Sequence, residues 1–204
     1  MLVALQQPMP RRPAVITTPR LRLVPLDARL ARLQLEDVVA FYTALGVRPC
    51  PSWPPPLYDR AAQAHSAETL AADPDGVGWY SWVFIGADPP LDPTLTDQVL
   101  IGAGGFHGRP DAQGIVEIGY AILPAHQCLG FAREAAGALI AWALKQRGVK
   151  AVRGRTMHDG HASQRVLLRL GFHPIPDDQP AIRAFLRRKA RLKLPLTRPR
   201  RAAP

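Results

Sequence analysis

Residues 116–144 read VEIGYAILPAHQCLGFAREAAGALIAWAL, and their order decides the architecture. The first part alternates as a strand does, with Glu117, Gly119 and Ala121 on one face. A short loop follows, containing Gln127, Cys128, Leu129 and Gly130, and a helix rich in small residues begins directly after it. Glycine at 130 permits a positive φ or a close approach by a ligand. The first N–H groups of the helix have no internal partner, so a phosphate placed there gains hydrogen bonds and a favourable helix dipole. An ordinary structural turn is the competing reading of one glycine ahead of a helix.

Working outward, Ile115 to Ile122 is a strand reached through the turn DAQG at 111–114. Val99 to Phe106 and Trp79 to Ile85 are two further strands, joined by the Pro/Asp-rich loop 86–98. On the other side, the helix runs over 131–147, with Ala132, Ala135, Ala136, Leu139, Ile140, Ala143 and Leu144 on its apolar face and Gly148 as its stop. A strand over 149–157, a helix over 161–170 closed by Gly171, and a last strand over 181–187 complete this half. Toward the N-terminus, residues 16–26 predict a first strand. Leu33, Val38, Phe41, Tyr42 and Leu45 predict one helix over 30–45, and an Ala-rich stretch predicts another over 59–72. Between them RPCPSWPPPLYD cannot be regular structure, because its prolines remove donors and restrict their predecessors. The resulting class is an α/β layered domain with a mixed sheet. It is not a doubly wound fold, which needs helix crossovers after most strands.

A chain of 204 residues fits one domain, here 16–190, with an arm over 1–15 and a Pro-containing basic tail over 191–204. The 22 prolines are about twice the usual share and mark loops and ends. Of 26 Lys and Arg, nine lie from Arg183 onward with no acid among them, which leaves 17 against 16 acidic side chains in the body. The basic end can attract nucleic acid, acidic protein or anionic lipid, although a solvated end segment is the simpler reading. Cys50 and Cys128 make neither a zinc pattern nor a disulfide framework, so no metal is expected. No apolar run reaches membrane-spanning length and the N-terminus lacks signal-peptide character, so a cytoplasmic location is the default expectation.

Several stretches together resemble the GNAT superfamily, the Gcn5-related N-acetyltransferases, and within it the RimJ/RimL-like ribosomal-protein acetyltransferases. That family's acyl-CoA loop is Gln/Arg-x-x-Gly-x-Gly/Ala, and this chain has Gln127-Cys128-Leu129-Gly130-Phe131-Ala132. VEIGYAILP, Arg133-Glu134-Ala135, the start ITTPRLRLVPL and the end ASQRVLLRLGF also match. The resemblance covers about residues 16–190 and implies a mixed, mostly antiparallel sheet flanked by helices, with a splayed acyl-CoA cleft. It implies acetyl-CoA as acyl donor. The backbone at Ile122 and Leu123 would pair with the pantetheine arm, the backbone at 127–132 would cradle the pyrophosphate, and Ser163 would lie toward the thiol. The acceptor would be an amine-bearing small molecule or a protein N-terminus, and a homodimer is left open. Two departures stand out: the family's usual Asn falls at Gly160, and the Tyr that serves many members as general acid falls at Leu167.

Acetyl transfer by direct attack needs a neutral amine and a place for its proton. Glu117 is the first choice of base, acting through water, with a structural or ammonium-binding carboxylate as its alternative. His158 and His161, between the fifth strand and the next helix, are candidate shuttles because imidazole titrates near neutrality. His107 and Tyr120 are further candidates. Trp53, Trp79, Trp82 and Phe106 could wall an acceptor pocket or simply fill the core. Two other functions fit parts of the sequence: a non-catalytic acyl-CoA-binding module, from the missing Asn and Tyr, and a nucleic-acid-binding protein using the basic tail.

Overall fold

The computed structural model describes residues 13–87 and 98–190. The tail over 191–204 and most of the N-terminal arm lie outside the described residues. Strands β1 (Ile16–Thr17) and β2 (Arg22–Pro25) replace the single strand expected over 16–26. Thr18 makes the division: its N–H and hydroxyl both bond the Leu21 carbonyl, while Pro19 has no donor for a ladder. The helix expected over 30–45 is also two, α1 (Ala28–Glu36) and α2 (Val38–Leu45). Asp37 ends the first by donating its N–H to the Leu33 carbonyl, and caps the second by accepting from Ala40 N. Asp59 caps α3 (Arg60–Ala72) in the same way through Ala62 N.

Strands β3 (Ser81–Ala87), β4 (Gln98–Phe106) and β5 (Ile115–Ile122) follow, then helix α4 (Phe131–Lys145), strand β6 (Ala151–Met157) and helix α5 (His161–Arg169). Strand β8 (Ile182–Arg188) is preceded by a three-residue strand, β7 (His173–Ile175), that the periodicity did not predict. β7 sits at the sheet edge and contains Pro174, which only an edge tolerates.

The eight strands form one sheet in the order β1-β2-β3-β4-β5-β6-β8-β7, antiparallel everywhere except between β5 and β6. Helix α4 covers one face, burying Phe131, Leu139 and Ile140 against Trp82, Ile101, Val116 and Ile118. Helices α1–α3 cover the other face over β2–β4, with Phe41, Leu70, Val83, Ile85 and Leu100 at the centre. The aromatic side chains mostly serve these cores. Trp79, Trp82 and Phe106 cluster with Trp142 of α4, and Trp53 packs against Phe41 and Tyr58. Of the four expected as pocket walls, only Phe106 reaches the cleft described below. Among the described residues no helix is long and apolar enough to cross a membrane.

Candidate active site

The parallel ladder between β5 and β6 runs from Ile115–Ala151 to Ile118–Gly154 and stops, although β5 continues to Ile122 and β6 to Met157. Helix α5 fills the wedge between them. Leu167 lies over Gly154 so closely that a Cβ there would come within 2.8 Å of its side chain. One turn earlier, the Ser163 hydroxyl donates to the Tyr120 phenol at 3.0 Å. The gap opens into a cleft of about 990 Å³ that passes through the sheet. Tyr120, Ser163 and Leu167 line it on the α5 side, and Gly105, His107, Gly119 and His65 of α3 on the other.

Antiparallel pairing alternates the direction of backbone groups along β5. Leu123 N bonds the Ile101 carbonyl and the carbonyls of Gly119 and Ala121 abut β4, so the backbone of Tyr120 and Ile122 faces the gap. The Ile122 carbonyl accepts from the Gln127 side-chain amide at 3.0 Å, which ties the following loop back to the strand end. In that loop Cys128 and Gly130 take left-handed φ values of 62° and 85°. Two such reversals aim the chain into α4, whose N-cap is Gly130 and whose N-terminus no side chain caps among the described residues. The side chains of Ile122, Leu123 and Phe131 are buried, Cys128 and Leu129 are exposed and Ala132 is half-buried; none of residues 122–132 lines the cleft itself, and the Leu123 N–H and carbonyl are already engaged by Ile101 and His126.

Thr18 and Arg20 hold this loop from behind, and neither was among the expected site residues. Glu134, in the first turn of α4, accepts from Thr18 Oγ1 at 2.6 Å, Arg20 N at 2.9 Å and Arg20 Nε at 2.7 Å. The Arg20 guanidinium also donates to the Leu129 carbonyl at 2.9 Å and lies 4.4 Å from the Phe131 ring centre. Burial pushes the Glu134 carboxyl up, but these bonds outweigh it and hold the group below its ordinary range. The available signal was the pairing of TTPR with an acid in the first helical turn, which lacks meaning until the fold brings them together.

Around α5 the two departures take physical form. At Gly160 a Cβ would press on the Met157 carbonyl at 3.0 Å. The turn is tied instead by the buried Gln164, whose amide donates to the carbonyls of Met157 and His158 at 3.1 and 2.9 Å. Leu167 is buried, and the phenol nearest its place is Tyr120. Burial raises the Tyr120 phenol above its ordinary value, with the Ser163 bond opposing, so it stays protonated at neutral pH. His161 is exposed at the first turn of α5, and His158 is exposed with its Nε2 2.9 Å from Arg183 Nη2. A guanidinium only donates, so that nitrogen is occupied as an acceptor. Neither histidine lines the cleft, whereas Asp159 between them does.

Glu117 lies on the opposite face of β5 from Tyr120. Its Oε2 accepts from Arg153 Nε at 2.8 Å, and its Oε1 is 4.0 Å from His107 Nδ1. The Glu117 carboxylate does not line the cleft, whereas His107, its neighbour at 4.0 Å, does.

A sheet split at one parallel pair, with an uncapped helix and a left-handed loop beside the split, is the architecture of an acyl-CoA-dependent acyltransferase. Residues 20–173 match the family model for the acetyltransferase (GNAT) domain, and the chain belongs to that family. It is 31% identical over 158 residues to the uncharacterized N-acetyltransferase YjdG of Bacillus subtilis, covering 78% of this chain and 89% of that protein. Solved structures that share the fold include RimL, a ribosomal L7/L12 alpha-N-protein acetyltransferase in complex with coenzyme A, and a point mutant of the spermidine N-acetyltransferase SpeG from Vibrio cholerae. RimL has a TM-score of 0.55 at 13% identity, over 85% of this chain and 97% of that one. SpeG has 0.55 at 12% identity, over 84% and 95%. Acetyl-CoA is the donor this family uses. The residues here fit it: a gap edged by strand backbone for an extended arm, and free N–H groups with two left-handed turns for a pyrophosphate.

Proposed function

We propose that the protein transfers the acetyl group of acetyl-CoA directly to a primary amine of a small molecule or a protein N-terminus. The observation that carries this reading is the end of the β5–β6 ladder at Ile118 and Gly154, which opens a passage through the sheet; the Gln127–Ala132 loop follows β5 and is tied to its end through the Ile122 carbonyl. In this reading the backbone of Tyr120 and Ile122 faces the pantetheine arm; Leu123, expected from the sequence to share that pairing, has its N–H and carbonyl taken by Ile101 and His126. The backbone of Gln127, Cys128, Leu129, Gly130, Phe131 and Ala132 holds the pyrophosphate. Bound acetyl-CoA supplies an activated thioester carbonyl; the protein aligns an amine with it and manages two protons. Alternation along β5 separates those tasks. Tyr120 and Ser163 lie on the α5 face, where the thiol departs, and the protonated Tyr120 phenol is placed to donate there. Glu117 lies on the α3 face, where the amine enters, and its carboxylate favours removal of the amine proton.

The named relatives with this fold act on both acceptor types, a ribosomal-protein N-terminus and spermidine. The test is thiol release from acetyl-CoA with amino acids, aminoglycosides, polyamines and N-terminal peptides, followed by mass analysis of the amine. Amine-dependent release with an acetylated product is the expected result. Tight CoA binding with no acetylated amine across all four classes would replace the enzyme reading with a binding module.

A further inference from the structure

We propose that His107 is the catalytic base on the acceptor side of the cleft, and that Glu117 is a positioning residue acting through it. This rests on the N-acetyltransfer reading above. Three observations place the imidazole. His107 immediately follows β4, and its backbone N–H is fixed to the Glu117 carbonyl at 3.0 Å. The ring lies over Gly119: a Cβ at that position would stand 3.1 Å from Nε2, close enough to push the ring from its seat by a few tenths of an ångström. The ring is 67% exposed while the Glu117 side chain is 16% exposed, so the imidazole stands between carboxylate and open cleft.

The orientation suits the task. Nδ1 is the nitrogen nearest Glu117, at 4.0 Å from Oε1, a close electrostatic approach longer than a hydrogen bond. Arg153 fixes the other carboxylate oxygen at 2.8 Å, so Glu117 cannot swing into the cleft without breaking that pair. A carboxylate beside Nδ1 favours a proton there, which leaves Nε2 bare toward Gly119. Gly105 faces Gly119 across β4–β5, and both line the cleft beside the ring, Gly105 packed against the Tyr80 backbone. The other ionisable groups lining this space are Tyr58, whose phenol accepts from the Gln34 amide, His65 of α3, Tyr80 before β3, and Tyr120, Arg155 and Asp159 across the gap. Arg155 is engaged by Asp177, and Tyr80 by Asp73.

The step balances. The amine nitrogen bonds the acetyl carbon and the carbon–sulfur bond breaks. One amine proton passes to His107 Nε2, and one proton reaches the departing thiolate from the Tyr120 hydroxyl. The exposed imidazolium returns its proton to solvent and the phenol is reloaded from solvent, so both groups are restored.

The test begins on the full chain without acetyl-CoA, labelled with 15N-histidine and assigned through His107→Gln. The neutral His107 ring is expected to carry its proton on Nδ1, and Glu117→Gln is expected to shift it toward the Nε2–H form that free imidazole side chains prefer. An Nε2–H ring in the wild type, unmoved by Glu117→Gln, overturns the proposal whether or not any amine turns over. With an amine that does turn over, His107→Gln is expected to lower kcat/KM by about 10²–10⁴-fold at neutral pH and to remove the acidic limb of the pH profile. Acetyl-CoA affinity should stay within about twofold of wild type, on the order of experimental scatter for a residue outside the donor loop. An unchanged profile in His107→Gln rejects the base assignment while leaving the acetyltransferase reading intact.

Discussion

Arg20 and Glu134 are 114 residues apart in the chain, yet the Glu134 carboxylate accepts from both the backbone N–H and the Nε of Arg20. The same guanidinium reaches the Leu129 carbonyl, so one residue spans the start of the sheet, the loop ahead of α4 and the first turn of α4. The loop's two left-handed residues are therefore held by a partly buried, charge-assisted network rather than by local turn chemistry alone.

Removing the carboxylate should release that network. Glu134→Ala leaves the Thr18 hydroxyl and the Arg20 donors without their acceptor, a cost of about 1–3 kcal/mol. For a domain of this size that lowers Tm by roughly 2–4 °C per kcal/mol. Thermal melts check the first effect. Arg20→Lys keeps the charge but loses the fork that reaches both Glu134 and Leu129. It should weaken acetyl-CoA binding, measured by calorimetry, more than it lowers Tm.

Acid should act on the same network. The Glu134, Asp73 and Asp177 carboxyls all lie below their ordinary values: Glu134 through Thr18 and Arg20 against the opposing effect of burial, Asp73 chiefly through Arg109, and Asp177 chiefly through Arg155. A depressed carboxyl stabilises the fold fully above its unfolded pKa, about 4, and that stabilisation disappears as pH falls through the lower folded value. Tm should hold through the neutral range and decline below about pH 4. Glu134→Gln should start lower and decline less steeply; a decline parallel to wild type would show that Glu134 contributes nothing to it.

Tyr120→Phe keeps the ring in the wedge and deletes only the hydroxyl that Ser163 bonds. If that hydroxyl delivers the proton to sulfur, kcat falls by about 10²-fold or more. Acetyl-CoA KM stays near wild type. A rise in KM with kcat intact would mean that Tyr120 only shapes the donor's seat.

Gly130 has φ 85° and ψ 0° at the head of α4. Valine there is β-branched in a left-handed conformation, at a cost of about 1–3 kcal/mol. Gly130→Val should abolish measurable acetyl-CoA binding or raise Kd at least about tenfold, the equivalent of 1.4 kcal/mol. Unaltered affinity would remove the loop from the donor site.

The strands and helices that carry the cleft were legible because each has its own period or cap. β5, α4 and β6 were all visible, and the glycine before α4 pointed to a phosphate cradle. Where one residue carries two local duties, the pattern misled. Asp37 ends α1 and starts α2, so apolar spacing read through it as one helix. Thr18 closes a turn and also binds Glu134, which no local pattern can reveal. The candidate proton-transfer groups were the least legible. Strand alternation assigned Glu117 a face, but not the Arg153 pair that fixes its carboxylate nor the His107 ring that stands before it. Gln164 was invisible as the replacement for the missing Asn, because its bonds reach back over six and seven residues to a turn.

Acetyl-CoA bound as proposed lies in the split of β5 from β6 with its phosphates on the loop ahead of α4. Amide hydrogen exchange with and without acetyl-CoA tests it most directly. Slower exchange confined to residues 119–123 and 128–134 is the expected result. Binding with no protection in either segment, or with protection centred on α1–α3 instead, would contradict it.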